Sequence, residues 1–224
     1  MKRYLSLLLT VTLLLSLLVV PTRAAANLEM KLEAVTFTQG KGGFEEGAPI
    51  GVLKAGDVFA VKTTFNNHSE TDISVGGYAF ELEYDKNLFD PYTFEYEDDG
   101  DTLTAGPIVF TGKMKTFTKE TKVENGLCAW TGGIGDPVTT KANNVFKMGY
   151  ALFKVREGVE STTAQFKFSD NTDKNFVAST DKGSGKVDYI SSVSFGTTAS
   201  VTINGVTPTL NTVTLDKDSV TVNG

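Results

Sequence analysis

The chain has 224 residues, with 21 Lys+Arg against 27 Asp+Glu, one histidine and one cysteine. A surface this acidic repels nucleic acid and anionic lipid, which argues against both as partners. A single cysteine closes no internal disulfide, so the fold must rest on its apolar core, and Cys128 is expected inside it as a small apolar residue.

The first residues read as an export signal. Lys2 and Arg3 precede an uncharged apolar run over residues 5–20, Pro21 ends it, and Ala24, Ala25 and Ala26 supply the small residues a signal peptidase requires. The 16-residue run is nearly long enough to span a bilayer, which makes an uncleaved anchor the alternative, but the flanking cleavage pattern favours removal. A signal peptide over residues 1–26 is therefore expected, with the mature protein secreted or at the cell surface and no membrane insertion after cleavage. Its removal takes Lys+Arg from 21 to 18 against 27 acids, a mature net charge of −9. A folded region of ~175 residues suffices to bury a substantial core.

From Leu28 onward the apolar period is two. Phe59, Val61 and Thr63 alternate with Val58, Ala60 and Lys62. In GYAFELEY (residues 77–84), Tyr78, Phe80, Leu82 and Tyr84 share one face, leaving Ala79, Glu81 and Glu83 on the other. Tyr92, Phe94 and Tyr96 form a third such run, Ala164, Phe166 and Phe168 a fourth, and Val201 and Ile203 a fifth. This alternation marks strands with one buried face. Turn residues separate them: Asn66-Asn67, Asp98-Asp99-Gly100, Gly132-Gly133 and Gly183-Ser184-Gly185. Many short strands without an amphipathic helix predict an all-β sandwich. Buried carboxylates are costly, so the face bearing Glu81 and Glu83 is expected to look outward as a docking surface.

Residues 206–210 read as a linker, and NTVTLDKDSVTVNG (residues 211–224) begins a new alternation too short to fold alone. That segment resembles the opening strands of a bacterial Ig-like group 2 domain.

Four segments taken in order resemble the cohesin family: AGDVFAVKTTFNN (residues 55–67), FELEYDKNLFD (80–90), NVFKMGYALFKVREGVESTTAQFKFSD (144–170) and ASVTING (199–205). The likeness covers most of residues 31–204. It implies a jelly-roll β-sandwich of about nine strands over residues 27–205, with no catalytic activity, that docks dockerin-type modules in polysaccharide-degrading assemblies. It also implies contacts from the outward positions ahead of Tyr84-Asp85, here Gly77, Ala79, Glu81 and Glu83. Gly77 and Ala79 depart from the polar side chains that well-known dockerin binders carry there.

Other chemistry finds little support. His68, in an Asn-Asn-His-Ser-Glu turn, lacks an evident nucleophile and orienting acid, and one His with one Cys makes no usual zinc site. No cofactor is expected. Calcium is conceivable on two acidic loops, residues 97–101 and Asp170 to Asp173, but neither has EF-hand spacing, and the expectation is solvated turns. Trp130 and the Tyr92, Phe94 and Tyr96 run raise a sugar-binding alternative with a polysaccharide partner, against the expectation that these rings are core. A spacer domain of a surface adhesin is a further alternative.

Overall fold

The computed structural model describes residues 27–40, 43–93, 102–111, 114, 118–180, 184 and 186–206. The expected signal peptide (1–26), most of the expected linker and the Ig-like segment (211–224) lie outside the described residues.

Sixteen strands run through the described residues: β1 (Leu28–Gly40), β2 (Gly43–Pro49), β3 (Val52–Leu53), β4 (Val58–Asn67), β5 (Ile73–Glu83), β6 (Phe89–Pro91), β7 (Thr102–Ala105) and β8 (Ile108–Thr111). They continue as β9 (Thr118–Glu124), β10 (Leu127–Thr140), β11 (Asn144–Val155), β12 (Thr162–Phe168), β13 (Phe176–Thr180), β14 (Val187–Tyr189), β15 (Val193–Ser194) and β16 (Thr198–Ile203). Nine have six residues or more, which matches the expected strand number; the others are short edge or bridging pieces.

The strands form two sheets. One runs β15-β1-β4-β11-β8-β7, with β2 on β1 and β6 on β11; the other runs β14-β13-β5-β12-β16-β3, with β10 on β5 and β9 on β10. Their facing sides enclose one jelly-roll core. Phe59, Phe89, Phe153 and Phe166 meet edge-on or tilted at ring separations of 4.9 to 6.5 Å, and Tyr78, Phe80, Trp130 and Phe168 fill the adjoining part. The anticipated alternation holds in β12 and β16, where Ala164, Phe166, Phe168, Val201 and Ile203 are buried between exposed or half-buried neighbours.

β4 departs from it. Ala60 is as buried as Phe59 and Val61, because the first sheet carries a second apolar cluster on its outer side. β2 folds over that side and brings Phe44 within 4.4 Å of the Tyr150 ring. Glu46 of β2 then accepts hydrogen bonds from Lys62 Nζ (2.8 Å), Lys147 Nζ (2.5 Å) and Tyr150 Oη (2.7 Å). Partial burial pushes the Glu46 carboxyl upward, but the three donors and the Lys62 charge outweigh it and hold the group down at about 2.

Two expected turn signals lie inside strands. Asn66 and Asn67 end β4 as buried residues, and the Asn67 amide ties down the turn that follows, donating to Thr71 O, Thr140 O and Lys141 O. Gly132 and Gly133 belong to β10. A Cβ on Gly132 would come within 2.7 Å of the Tyr78 ring, so glycine serves close packing at that point rather than a turn.

Candidate functional site

β5 positions the outward residues. Val75 is fully buried, then the parity changes at Gly76-Gly77, and from there Tyr78, Phe80 and Leu82 point into the core. Gly76 packs against the Thr180 side chain, leaving no room for a Cβ. Beyond this point Gly77, Ala79, Glu81 and Glu83 lie on the outer side, as the alternation anticipates.

Sheet register supplies their neighbours, since directly opposed residues share a face. Ala79 lies between Thr131 of β10 and Phe176 of β13; Glu81 faces Ala129, which faces Lys122 of β9; Glu83 lies between Leu127 and Lys167 of β12. The result is a four-strand platform, β9-β10-β5-β13, with small residues at its centre. Gly77 and Ala178 continue the low centre toward the far end.

The four residues differ in availability. Glu81 and Glu83 are half-buried, and so is Gly77. Ala79 is only 3% exposed, so it cannot offer the open contact expected of an outward position. The reason is size: its single methyl lies lower than the Thr131 and Phe176 side chains on either side of it. The hollow above Ala79, Ala129 and Thr131 encloses about 260 Å³ and is rimmed by Glu81, Lys122 and Lys174. A second hollow of about 90 Å³, between Glu81, Leu127 and Glu124, meets the first at Glu81.

Charges on the platform are mostly matched. Glu83 pairs with Lys167 at 3.0 Å, and Lys122 with Glu124 at 2.7 Å. The Glu83 contact raises the Lys167 ammonium, and the Glu124 contact raises Lys122 while Lys122 lowers Glu124. Glu81 adds a weaker field at Lys122 without a close ion pair.

The backbone beneath Glu81 is anchored by a loop. β13 pairs with β5 at residues 77–79 and β12 at residues 82–83, which leaves a gap between them. Ser169 N–H donates to Glu81 O at 2.8 Å, and Asn175 Oδ1 accepts Glu81 N–H at 2.8 Å, filling that gap. Asn175 Nδ2 in turn donates to Ser169 O (2.8 Å), Ser169 Oγ (3.0 Å) and Asn171 O (3.3 Å).

The remaining candidates separate clearly. Trp130 and Cys128 are fully buried, and burial raises the Cys128 thiol to about 12. Tyr92 follows β6 rather than opening a strand, and it packs half-buried on the second apolar cluster; Phe94 and Tyr96 lie outside the described residues. His68 sits exposed in a turn, its Nε2 3.7 Å from Glu29. Asn171 Oδ1 accepts Asp173 N–H at 3.1 Å, a local turn bond, and no group of three metal-binding side chains gathers among the described residues. The 97–101 loop lies outside the described residues.

Sequence reasoning missed Ala129, Lys122, Lys174 and Asn175 at the platform. Each joins it through pairing between strands or loops remote in the chain, and no local pattern carries that information.

Comparison with curated proteins finds no match by sequence. Among solved structures, the chain is similar to the seventh ScaB type I cohesin of Pseudobacteroides cellulosolvens, with 15% identity, a TM-score of 0.47, and coverage of 81% of this chain and 94% of that one. It is also similar to the third ScaC cohesin of Acetivibrio cellulolyticus, solved with a ScaB dockerin (14% identity, TM-score 0.47, 79% and 99% covered). A non-cellulosomal cohesin of Archaeoglobus fulgidus shows 12% identity and a TM-score of 0.41, with 80% and 92% covered. The family model for the cohesin domain matches residues 50–189, more than half of the chain and the whole of the β5, β9, β10 and β13 platform. The chain belongs to the cohesin family.

Proposed function

We propose that this protein is an exported, non-catalytic docking module that receives a dockerin-type protein on the outer face of β9-β10-β5-β13, as part of a surface or scaffold assembly for polysaccharide degradation. One observation carries the reading: the cohesin match spans all four strands of a platform that stays open to solvent. Solved cohesins are described in complex with dockerins, which supports that partner class.

Recognition would be rigid-body. The small residues at the centre form a hollow that accepts a protruding partner side chain, and Glu81 at its rim makes no close ion pair among the described residues. The Glu81 carboxylate favours a basic partner side chain beside it, on a rim it shares with Lys122 and Lys174. The extracellular location rests on the signal-like residues 1–26.

The test is capture of dockerin-bearing proteins by the immobilised chain, with calcium present to keep the dockerins folded. A Glu81→Lys, Glu83→Lys variant should keep its melting temperature and lose capture. Capture equal to that of the parent would show that another face binds; no capture by the parent would sink the docking reading.

A further inference from the structure

A second groove lies beside the platform, where β13, β14 and β15 meet the loop that follows β12. It encloses about 540 Å³ and is lined by Phe176, Tyr189 and Phe195 together with Thr172, Asp173 and Ser191. We infer that this groove is a binding site for a neutral glycan chain, with Tyr189 as the stacking ring.

The rings come first. Tyr189 is 72% exposed, the most open large apolar side chain among the described residues. Phe176 holds it from the side, with ring centres 4.9 Å apart and planes at 89°. Phe195 forms the base, itself wedged edge-on against Phe168 of the main core at 5.2 Å. An exposed aromatic steadied by a second ring carries an apolar surface at little entropic cost. The C–H face of a pyranose packs on such a surface.

Hydrogen-bonding groups surround the rings. The Asp173 carboxylate and the Thr172 and Ser191 hydroxyls are exposed, and none bonds to another side chain among the described residues. Together they offer acceptors and donors around an apolar floor, the mixture that sugar hydroxyls require. The loop bearing Thr172 and Asp173 is already ordered, because the buried Asn175 amide grips Ser169 and Asn171.

Charge decides between glycans and against a basic peptide. The chain's net charge of −6 disfavours anionic polysaccharides. Of the acids nearby, Asp188 is neutralised by Lys186 at 2.8 Å, so among the described residues the groove lining presents one carboxylate, Asp173, with the Thr172 and Ser191 hydroxyls rather than an anionic trap. Neither Glu81 nor Glu83 lines the groove, so the inference does not depend on dockerin recognition.

Affinity electrophoresis of the full chain through gels containing barley β-glucan, xylan or galactomannan, with polygalacturonate as the anionic control, tests the inference. At least one neutral polymer should retard the chain, and polygalacturonate should not. Tyr189→Ala should weaken that interaction by about tenfold or more, and Asp173→Asn to a lesser extent. Both variants should retain the parent melting temperature and the fluorescence of buried Trp130. Retardation by none of the neutral polymers, or equal retardation of Tyr189→Ala, overturns the inference. So does binding of an oligolysine peptide that Tyr189→Ala abolishes while no neutral polymer binds, an outcome that assigns the groove to basic peptides. In each case the docking reading is judged separately, by the Glu81→Lys, Glu83→Lys variant.

Discussion

Asn175 Oδ1 accepts the backbone N–H of Glu81 at 2.8 Å, joining residues 94 positions apart. That bond stands in for the strand partner that β5 lacks between β13 and β12, and it fixes the height of Glu81 on the platform. It also orders the loop that carries Thr172 and Asp173. One buried amide thus shapes both surfaces.

Asn175→Ala should therefore cost about 1–3 kcal/mol, the usual penalty for leaving buried polar groups without partners. The midpoint of urea unfolding would report it. Asn175→Asp retains the acceptor for Glu81 N–H but turns a buried carboxylate oxygen toward the Ser169 and Asn171 carbonyls, so at neutral pH it should cost at least as much as alanine. An alanine variant as stable as the parent would mean that water replaces the amide without loss.

Glycines on the platform should respond oppositely to substitution. A Cβ on Gly77 would meet Gly132 O at 3.4 Å and the Ala178 methyl at 3.9 Å, ordinary contacts on an open face. Gly77→Asn should fold with nearly unchanged stability, and it places a polar side chain where dockerin binders carry one. On the docking reading, it should alter which dockerins are captured. Gly132→Ala would press on the buried Tyr78 ring at 2.7 Å and should cost about 1–3 kcal/mol. Thermal unfolding of the two variants side by side separates the cases.

Stability should fall in acid through Glu46. Its carboxyl lies at about 2 in the folded chain against 4.5 for the free group, because the Lys147, Lys62 and Tyr150 donors overcome the opposing effect of burial. A depressed pKa contributes stability that is fully present above pH 4.5 and disappears as the pH falls toward 2. After allowance for its partial exposure, that contribution is about 1–3 kcal/mol. Glu46→Gln should be less stable than the parent by this amount at neutral pH, and the gap should close between pH 4.5 and 2. Denaturant titrations across that range provide the measurement; a gap independent of pH would assign the loss to packing of β2.

Cys128 should be chemically silent in the native state. It is fully buried, and its thiol is raised to about 12, so almost no thiolate forms at neutral pH. Ellman's reagent should label one thiol per chain in denaturant and essentially none without it. Rapid labelling of the folded protein would reveal opening between β9-β10 and the core.

The amino-acid sequence by itself determined the all-β class and the faces of the principal strands. Side-chain direction along a strand alternates residue by residue, so Tyr78, Phe80 and Leu82 against Glu81 and Glu83 could be assigned to opposite sides without coordinates. The same local rule exposed the alternation in β12 and β16, and the four ordered segments carried the family likeness. Tertiary structure alone decided what stands beside each residue. Ala79 lies on the outer side as alternation requires, yet Thr131 and Phe176, 52 and 97 positions further along the chain, leave it 3% exposed. Ala60 is buried because β2 folds across the back of the first sheet, and Trp130 is withdrawn from any role at the surface while Tyr189 is left open to solvent. Register and sheet order arise from pairing between distant segments, and their energetics depend on the whole core rather than on neighbours in the chain.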